Sequence, residues 1–377
     1  MKKICFVTGS RADYGILAPI MKEVARSPMA ELQIVATNMH LSPRHGMTVN
    51  EIEADGFQVD EKIDSLVEGG DAHATALSMA KVQSALSEAF ERLKPDLVVI
   101  LGDRYEALAA ASVAVVYNIP IAHMHGGETT EGAIDDKFRH AITQLSDLHF
   151  ASTPQYAQRI IDMGKKPENV FHSGAPGAEG VDILNPQIAL KFFETTGIRE
   201  GEPFILLAFH PVTTLENKGA DELESTLEAL DLLLNQGYKV LITMPNSDPG
   251  NQKIAEILEQ WASMHSSRVV TVRSLGSQLF HYALETASVI VGNSSAALIE
   301  APSYRLPAVN VGIRQKGRIH GITVIDSPGN KQRIYDALQA ALSIEMKAVI
   351  MGLEVSALNP YFKENATSFI VDKLITY

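Results

Sequence analysis

Val289-Ile290-Val291-Gly292-Asn293-Ser294-Ser295 runs from an apolar stretch through a glycine into small hydroxyl residues, and then opens a helix. Apolar residues in succession read as a buried strand, and the serines read as a helix start. A strand leading straight into a helix is the unit from which parallel sheets are built. The same stretch carries chemistry. The free N–H groups and the positive end of a helix face an anion such as a phosphate, with the Ser294 and Ser295 hydroxyls as further donors. Glu300, expected on the first turns of that helix, can accept hydrogen bonds from sugar hydroxyls, and the basic loop Arg314-Gln315-Lys316-Gly317-Arg318 follows. Together these features point to a nucleotide with a ribose. Simple capping of the helix is the competing reading of the serines.

Strand-like runs alternate with helical patterns over the whole chain. The first half holds Ile4 to Thr8, Leu32 to Ala36, Leu97 to Leu101, Ile119 to His123 and Leu148 to Ala151. Helices are expected over about Ala72 to Leu93 and Asp103 to Tyr117, which are rich in alanine and leucine. A second series comprises Phe204 to Phe209, Lys239 to Thr243, Val269 to Val272, Val289 to Val291 and Ala308 to Val311. Two sheets fit this series better than one. Glycines and prolines concentrate between Gly174 and Glu202, which places the junction there and gives domains over 1–180 and 200–355. Residues 359–377 read as a final helix returning to the first domain. Ligands of such sheets bind beyond the carboxyl ends of the strands, so two facing domains would hold one in the cleft between them.

Composition narrows the function. With 377 residues, the chain exceeds what one core usually organises, and 46% hydrophobic with 20% charged residues is ordinary for a globular protein. A net charge of −13 without a basic stripe argues against nucleic acid as partner. The single cysteine, Cys5, lies in the apolar run Ile4 to Val7, which excludes disulfides and cysteine-based metal sites and suggests a buried thiol. Neither a signal peptide nor a membrane-length apolar stretch is read, so a cytoplasmic protein is expected.

The residues after each strand are the candidates for chemistry. Thr8-Gly9-Ser10-Arg11 forms a turn in which Arg11 can pair with a phosphate, although an arginine at an ordinary turn is equally consistent. It is neither a P-loop nor a dinucleotide fingerprint. Gly102-Asp103-Arg104 follows the third run, where Asp103 either caps the next helix or orients a ligand. His123-Met124-His125-Gly126-Gly127-Glu128, followed by Asp135-Asp136 and Arg139-His140, clusters titratable groups suited to proton transfer. The paired glycines would let a ligand approach the backbone. No complete metal ligand set is evident, and His123, still inside its strand, reads as structural. His210-Pro211 and Asn246-Ser247-Asp248 end two strands of the second half, as ligand contacts or as ordinary turn chemistry.

Taken in order, Gly9-Ser10-Arg11-Ala12-Asp13-Tyr14, Gly102-Asp103-Arg104, His123 to Glu128, Asp135-Asp136 with Arg139-His140, Phe209-His210-Pro211, Gly292 to Ser295 and Arg314-Gln315 resemble the UDP-N-acetylglucosamine 2-epimerase family, in its hydrolysing branch that feeds sialic-acid-type sugar synthesis. The resemblance spans nearly the whole chain. It implies the GT-B type of fold, with two Rossmann-like parallel-sheet domains facing a cleft. It further implies a UDP-sugar substrate, no cofactor and no metal, and a homo-oligomer, either dimer or tetramer. Ser294 and Ser295 would bind the diphosphate, Glu300 the ribose, and Arg314 would close over the nucleotide. Arg11, Arg104, His210 and Asn246 would complete the site, with Glu128 among the substrate-binding groups.

The implied reaction removes the proton from carbon 2 of the sugar while UDP leaves carbon 1, then adds water and a proton to the glycal, which yields N-acetylmannosamine. Asp103, His125 and Asp135 are the acid and base candidates, with His210 beside the leaving oxygen. Many relatives carry a glutamate where this chain has His125, so that glutamate's role does not transfer unchanged. Ala12 and Gly126-Gly127-Glu128 favour the hydrolysing branch over relatives that return UDP-N-acetylmannosamine. A hydrolysing relative acting on a 4-acetamido-4,6-dideoxy sugar nucleotide would share every motif. A glycosyltransferase and a non-catalytic UDP-sugar binder are the readings from other classes.

Overall fold

The computed structural model describes residues 1–69, 71–180 and 185–377. The chain divides into two compact units, one of residues 1–128, 134–179 and 363–377 and the other of residues 129–133 and 180–362. Residues 181–184, inside the junction expected from the sequence, lie outside the described residues.

The first unit is built on seven strands: β1 (Lys2–Thr8), β2 (Ala30–Thr37), β3 (Glu61–Ile63), β4 (Leu97–Leu101), β5 (Ile121–Met124), β6 (Leu148–Ala151) and β7 (Val170–His172). They lie in the order β3-β2-β1-β4-β5-β6-β7, and every neighbouring pair is parallel. The second unit has β8 (Phe204–Ala208), β9 (Lys239–Thr243), β10 (Val269–Val272), β11 (Val289–Gly292), β12 (Ala308–Val311) and β13 (Val324–Ser327), in the order β10-β9-β8-β11-β12-β13 and again all parallel. Both orders are those of a doubly wound nucleotide-binding sheet, so the Rossmann-like α/β class expected from the sequence is present twice. In each sheet the order reverses at one place, between β1 and β4 and between β8 and β11. There the connections leave toward opposite sides and open a crevice at the carboxyl ends.

Side-chain alternation explains why the central strands read as unbroken apolar runs. Ile4, Phe6, Leu97 and Val99 point into one core, while Cys5, Val7, Val98 and Ile100 point into another on the opposite face. Helix Arg11–Arg26 covers the first face with Tyr14, Leu17 and Ile20, and helix Ala366–Thr376 adds Ile370 and Leu374. Helix Ala72–Leu93 covers the second with Val82, Leu86 and Phe90. It starts where the Asp71 carboxylate accepts the Ala74 N–H at 2.7 Å and stops at Lys94, which turns left-handed. In the second unit Ile205, Leu207, Val289 and Val291 pack beneath helices Ala220–Leu234 and Lys331–Ala341. Burial pushes the Cys5 thiol well above its ordinary range, in keeping with an inert core residue. Among the described residues, no helix is long and apolar enough to cross a membrane.

Two expectations need correction. The helix after Ser295 is a single turn, Ala296–Ile299, and a 3-10 turn, Ala301–Tyr304, follows it. Glu300 therefore sits at the junction of the two, not on the first turns of a regular helix. Pro302 supplies no N–H and disfavours a helical residue before it, which ends the α geometry there. The final helix starts at Ala366, not near Asn359, and a short turn, Val355–Leu358, precedes it.

Candidate functional site

The carboxyl edge of the first sheet gathers the titratable residues. After β1, Ser10 caps helix Arg11–Arg26 by accepting the Asp13 N–H at 3.3 Å, and Arg11 occupies the first helical position. Burial raises the Asp13 carboxyl to about 6, against the lowering effect of the Arg104 guanidinium. After β4, Arg104 rather than Asp103 stands at the cap position of the next helix, and its guanidinium pairs with the buried carboxylate of Glu106. A side chain at Gly9 would run into that carboxylate, so the first-loop glycine makes room for Glu106.

Asp103 is not a helix cap. Its carboxylate pairs with the guanidinium of Arg139, which is 1% exposed and lies 3.5 Å from Asp136 as well. Asp135 opens the helix Asp135–Leu145 that carries Arg139, and His140 stands 3.6 Å from Asp136. Sheet register brings the next candidates close. Leu101 pairs with Met124, so the chain segments leaving β4 and β5 run side by side and set Asp103 next to the loop of His125.

His123 and His125 have opposite surroundings. The His123 Nε2 donates to the Gly102 carbonyl at 2.7 Å, and burial lowers its pKa to about 4. It stays neutral and ties β5 to the end of β4, the structural role expected of it. His125 has a left-handed backbone with φ 61°, and its Nδ1 lies 2.7 Å from Glu128 Oε1. Its Nε2 is buried without a hydrogen-bond partner. The space on the side-chain side of the paired glycines is filled by the protein itself. A Cβ on Gly126 would meet the His123 ring at 2.9 Å, and one on Gly127 would meet the Tyr156 carbonyl at 2.7 Å.

On the second unit, the segments after β8, β9, β11 and β12 interlock. Asn293 accepts the His210 N–H at 2.7 Å and donates to the His210 carbonyl at 2.8 Å. The Asn246 N–H donates to His210 Nδ1 at 3.3 Å. A neutral imidazole that accepts at Nδ1 carries its proton on Nε2, so His210 presents a donor. Arg314 donates to the carbonyls of Pro211 and Asn293 and lies 3.5 Å from Asp248, which also receives the Asn246 amide at 2.7 Å. Ser294 Oγ accepts the Ala296 N–H, whereas the Ser295 side chain makes no capping bond. Glu300 lies 3.7 Å from His281, whose ring stacks on Tyr304.

His210, Asn246 and Arg314 thus meet in one network, with Ser294 and Ser295 following Asn293 directly. Glu300 belongs to a separate pair one turn further on. Asn293 and Asp248 enter the sequence reading only within longer motifs, and Glu106 and Ser152 have no role there, although Asn293 directly precedes the two serines. The chemistry on offer is a set of cationic and N–H donors on the second unit and paired carboxylates and imidazoles on the first.

The chain matches the family model of UDP-N-acetylglucosamine 2-epimerase over residues 22–375. It is 37% identical over 349 residues to the GDP/UDP-N,N'-diacetylbacillosamine 2-epimerase (hydrolyzing) of Campylobacter jejuni, an alignment covering 92% of this chain and 88% of the relative. It is 32% identical over 347 residues to the UDP-N-acetylglucosamine 2-epimerase of Neisseria meningitidis serogroup B, covering 91% and 88%. In fold it is similar to a crystal structure of UDP-GlcNAc 2-epimerase from Neisseria meningitidis bound to UDP-GlcNAc, with a TM-score of 0.82, 19% identity and full coverage of both chains.

Proposed function

Because the chain belongs to the UDP-N-acetylglucosamine 2-epimerase family, we propose that it is a hydrolysing 2-epimerase of a UDP-linked 2-acetamido sugar. The motifs alone put UDP-N-acetylglucosamine first. The higher identity to the Campylobacter jejuni enzyme, 37% against 32% for the Neisseria meningitidis enzyme, moves the proposal to UDP-N,N'-diacetylbacillosamine, which bears a second acetamido group at carbon 4. UDP-N-acetylglucosamine is the second reading, favoured by the Neisseria relative.

The observation that carries the reading is the buried, unpartnered Nε2 of His125, on the same unit as Asp103 and Asp135. Proton removal from carbon 2 needs a base with an open lone pair, held where water does not compete for it. In the proposed first step, the carbon 2 proton passes to this base. The C–H electron pair becomes the C1=C2 bond, and the C1–O bond breaks as UDP leaves with its electrons. Water then adds at carbon 1, and an acid delivers a proton to the opposite face of carbon 2. Asp103 and Asp135 are the proposed partners in these transfers.

The second unit holds the nucleotide in this reading. Ser294, Ser295 and Arg314 take the diphosphate, Glu300 the ribose, and Asn246 supports the loop, while the His210 Nε2–H donates to the departing oxygen. The reaction is redox-neutral and uses no nicotinamide.

Proton NMR with either sugar nucleotide in deuterated buffer tests this directly. Free 2-epimerised sugar deuterated at carbon 2, together with UDP, is the expected product. Retention of the carbon 2 proton, or a product still linked to UDP, would overturn the hydrolysing reading. The faster of the two substrates identifies the sugar.

A further inference from the structure

Glu128 falls three residues after His125, and its carboxylate is fully buried. Two donors converge on one of its oxygens: His125 Nδ1 at 2.7 Å and the Ser152 hydroxyl at 2.5 Å. Ser152, which directly follows β6, is also fully buried. The loop that connects them is held in a single shape. The His125 N–H donates to the Phe150 carbonyl at 3.0 Å, His125 itself is left-handed, and Gly127 at φ 74° packs against Tyr156. A carboxylate accepts and does not donate, so the hydrogen between Glu128 and His125 belongs to Nδ1. The lone pair then lies on Nε2, the atom that has no partner.

We propose that Glu128 is a positioning residue that fixes the tautomer and the ring orientation of His125, leaving Nε2 as the base that takes the carbon 2 proton. This inference rests on the epimerase reading and deepens it, and it moves Glu128 from substrate contact to support of the base. When Nε2 accepts the proton, the ring becomes an imidazolium whose Nδ1–H faces the carboxylate. The charge created in the step is stabilised where it forms, without rearrangement of the loop. Ser152 keeps the carboxylate from turning away. The arrangement replaces a carboxylate base with an imidazole backed by a carboxylate.

Glu128→Gln is the central variant. It keeps the shape of the side chain, but its amide can donate to Nδ1 and move the ring proton to Nε2. The expected result is a fall in kcat of roughly 10²- to 10⁴-fold, as for loss of a properly oriented base, with KM and UDP affinity within about twofold of the parent protein. His125→Gln should lose as much, and the double variant no more than His125→Gln alone. A raised KM with near-normal kcat would make Glu128 a substrate contact, and multiplicative losses in the double variant would separate the two residues; either result overturns the proposal. The ¹⁵N shifts of the His125 ring in the unaltered protein provide a test that needs neither turnover nor a stable variant. Protonation on Nδ1 is expected, and a proton on Nε2 would overturn the proposal even if the enzyme is active. Absence of turnover with both sugar nucleotides would instead remove the epimerase reading and leave the tautomer result standing.

Discussion

Asn293 grips the main chain of His210 from both sides, accepting its N–H at 2.7 Å and donating to its carbonyl at 2.8 Å. The two residues lie at the carboxyl ends of β11 and β8, the pair of strands between which the second sheet reverses its order. The amide therefore sets the distance between the two loops that flank the crevice and aims the His210 ring. It also engages both polar groups of the His210 main chain.

Asn293→Leu should consequently cost more than its own burial. Two main-chain groups lose their partners at about 1–3 kcal/mol each, so a loss of about 3 kcal/mol in unfolding free energy is expected, read from urea denaturation of the purified variant. Turnover should fall more than stability predicts, because His210 no longer points one way. A variant within about 0.5 kcal/mol of the parent would show that the grip is incidental.

Gly292, the residue before Asn293, has φ 131°, and a Cβ there would lie 2.1 Å from the Ala208 carbonyl oxygen. Gly292→Ala should therefore either fail to accumulate as soluble protein or lose more than about 3 kcal/mol, since both the backbone conformation and the neighbouring strand resist the methyl group. Expression with thermal denaturation checks this.

Arg139 is a buried cation facing Asp103 and Asp136. Arg139→Met leaves Asp103 without its counter-charge, and removal of one partner of a buried pair costs about 3–5 kcal/mol. Asp103→Asn should be milder in stability yet lower kcat by roughly 10²-fold or more if Asp103 moves a proton. A comparison of denaturation midpoints with turnover for the two variants separates the roles.

Three buried histidines of the first unit make it sensitive to acid. Burial lowers His40 and His123 to about 4 and His149 to about 3, from an ordinary value of 6.5. The folded state then binds fewer protons than the unfolded chain between those limits. The stabilisation from keeping these rings neutral is complete above pH 6.5 and is lost as pH falls toward 4. Thermal midpoints should drop steeply over that window, and His149→Leu should flatten the slope by removing one of the three groups. An unchanged slope would mean that His149 is not held neutral.

The fold was legible where burial made the sequence monotonous. Strands β4, β6, β9, β10 and β12 follow the apolar blocks residue for residue. β3, β7 and β13 went unread because they are short edge strands, such as Glu61-Lys62-Ile63, with polar or half-exposed residues and one neighbour each. The candidate residues were legible by type, since carboxylates and imidazoles after strand ends are visible in a sequence. Their partners were not. His210 and Asn293 are 83 residues apart, and nothing local marks their pairing. The protein contacts of Gly126 and Gly127 were illegible for a related reason: a glycine reports that space is short, but not what fills it.

Helix Ala366–Thr376 packs Ile370, Val371 and Leu374 into the core that begins with Ile4 and Phe6, and Lys2 Nζ donates to the Leu374 carbonyl at 2.9 Å. During synthesis, strand β1 leaves the ribosome hundreds of residues before the helix that closes its hydrophobic face. Each of the three aliphatic side chains contributes about 1.5–3 kcal/mol on burial. The second unit, most of it one continuous stretch, can complete its core while the first still waits with an apolar face exposed. A stop codon placed before residue 366 therefore removes a wall of the first unit's core rather than a tail.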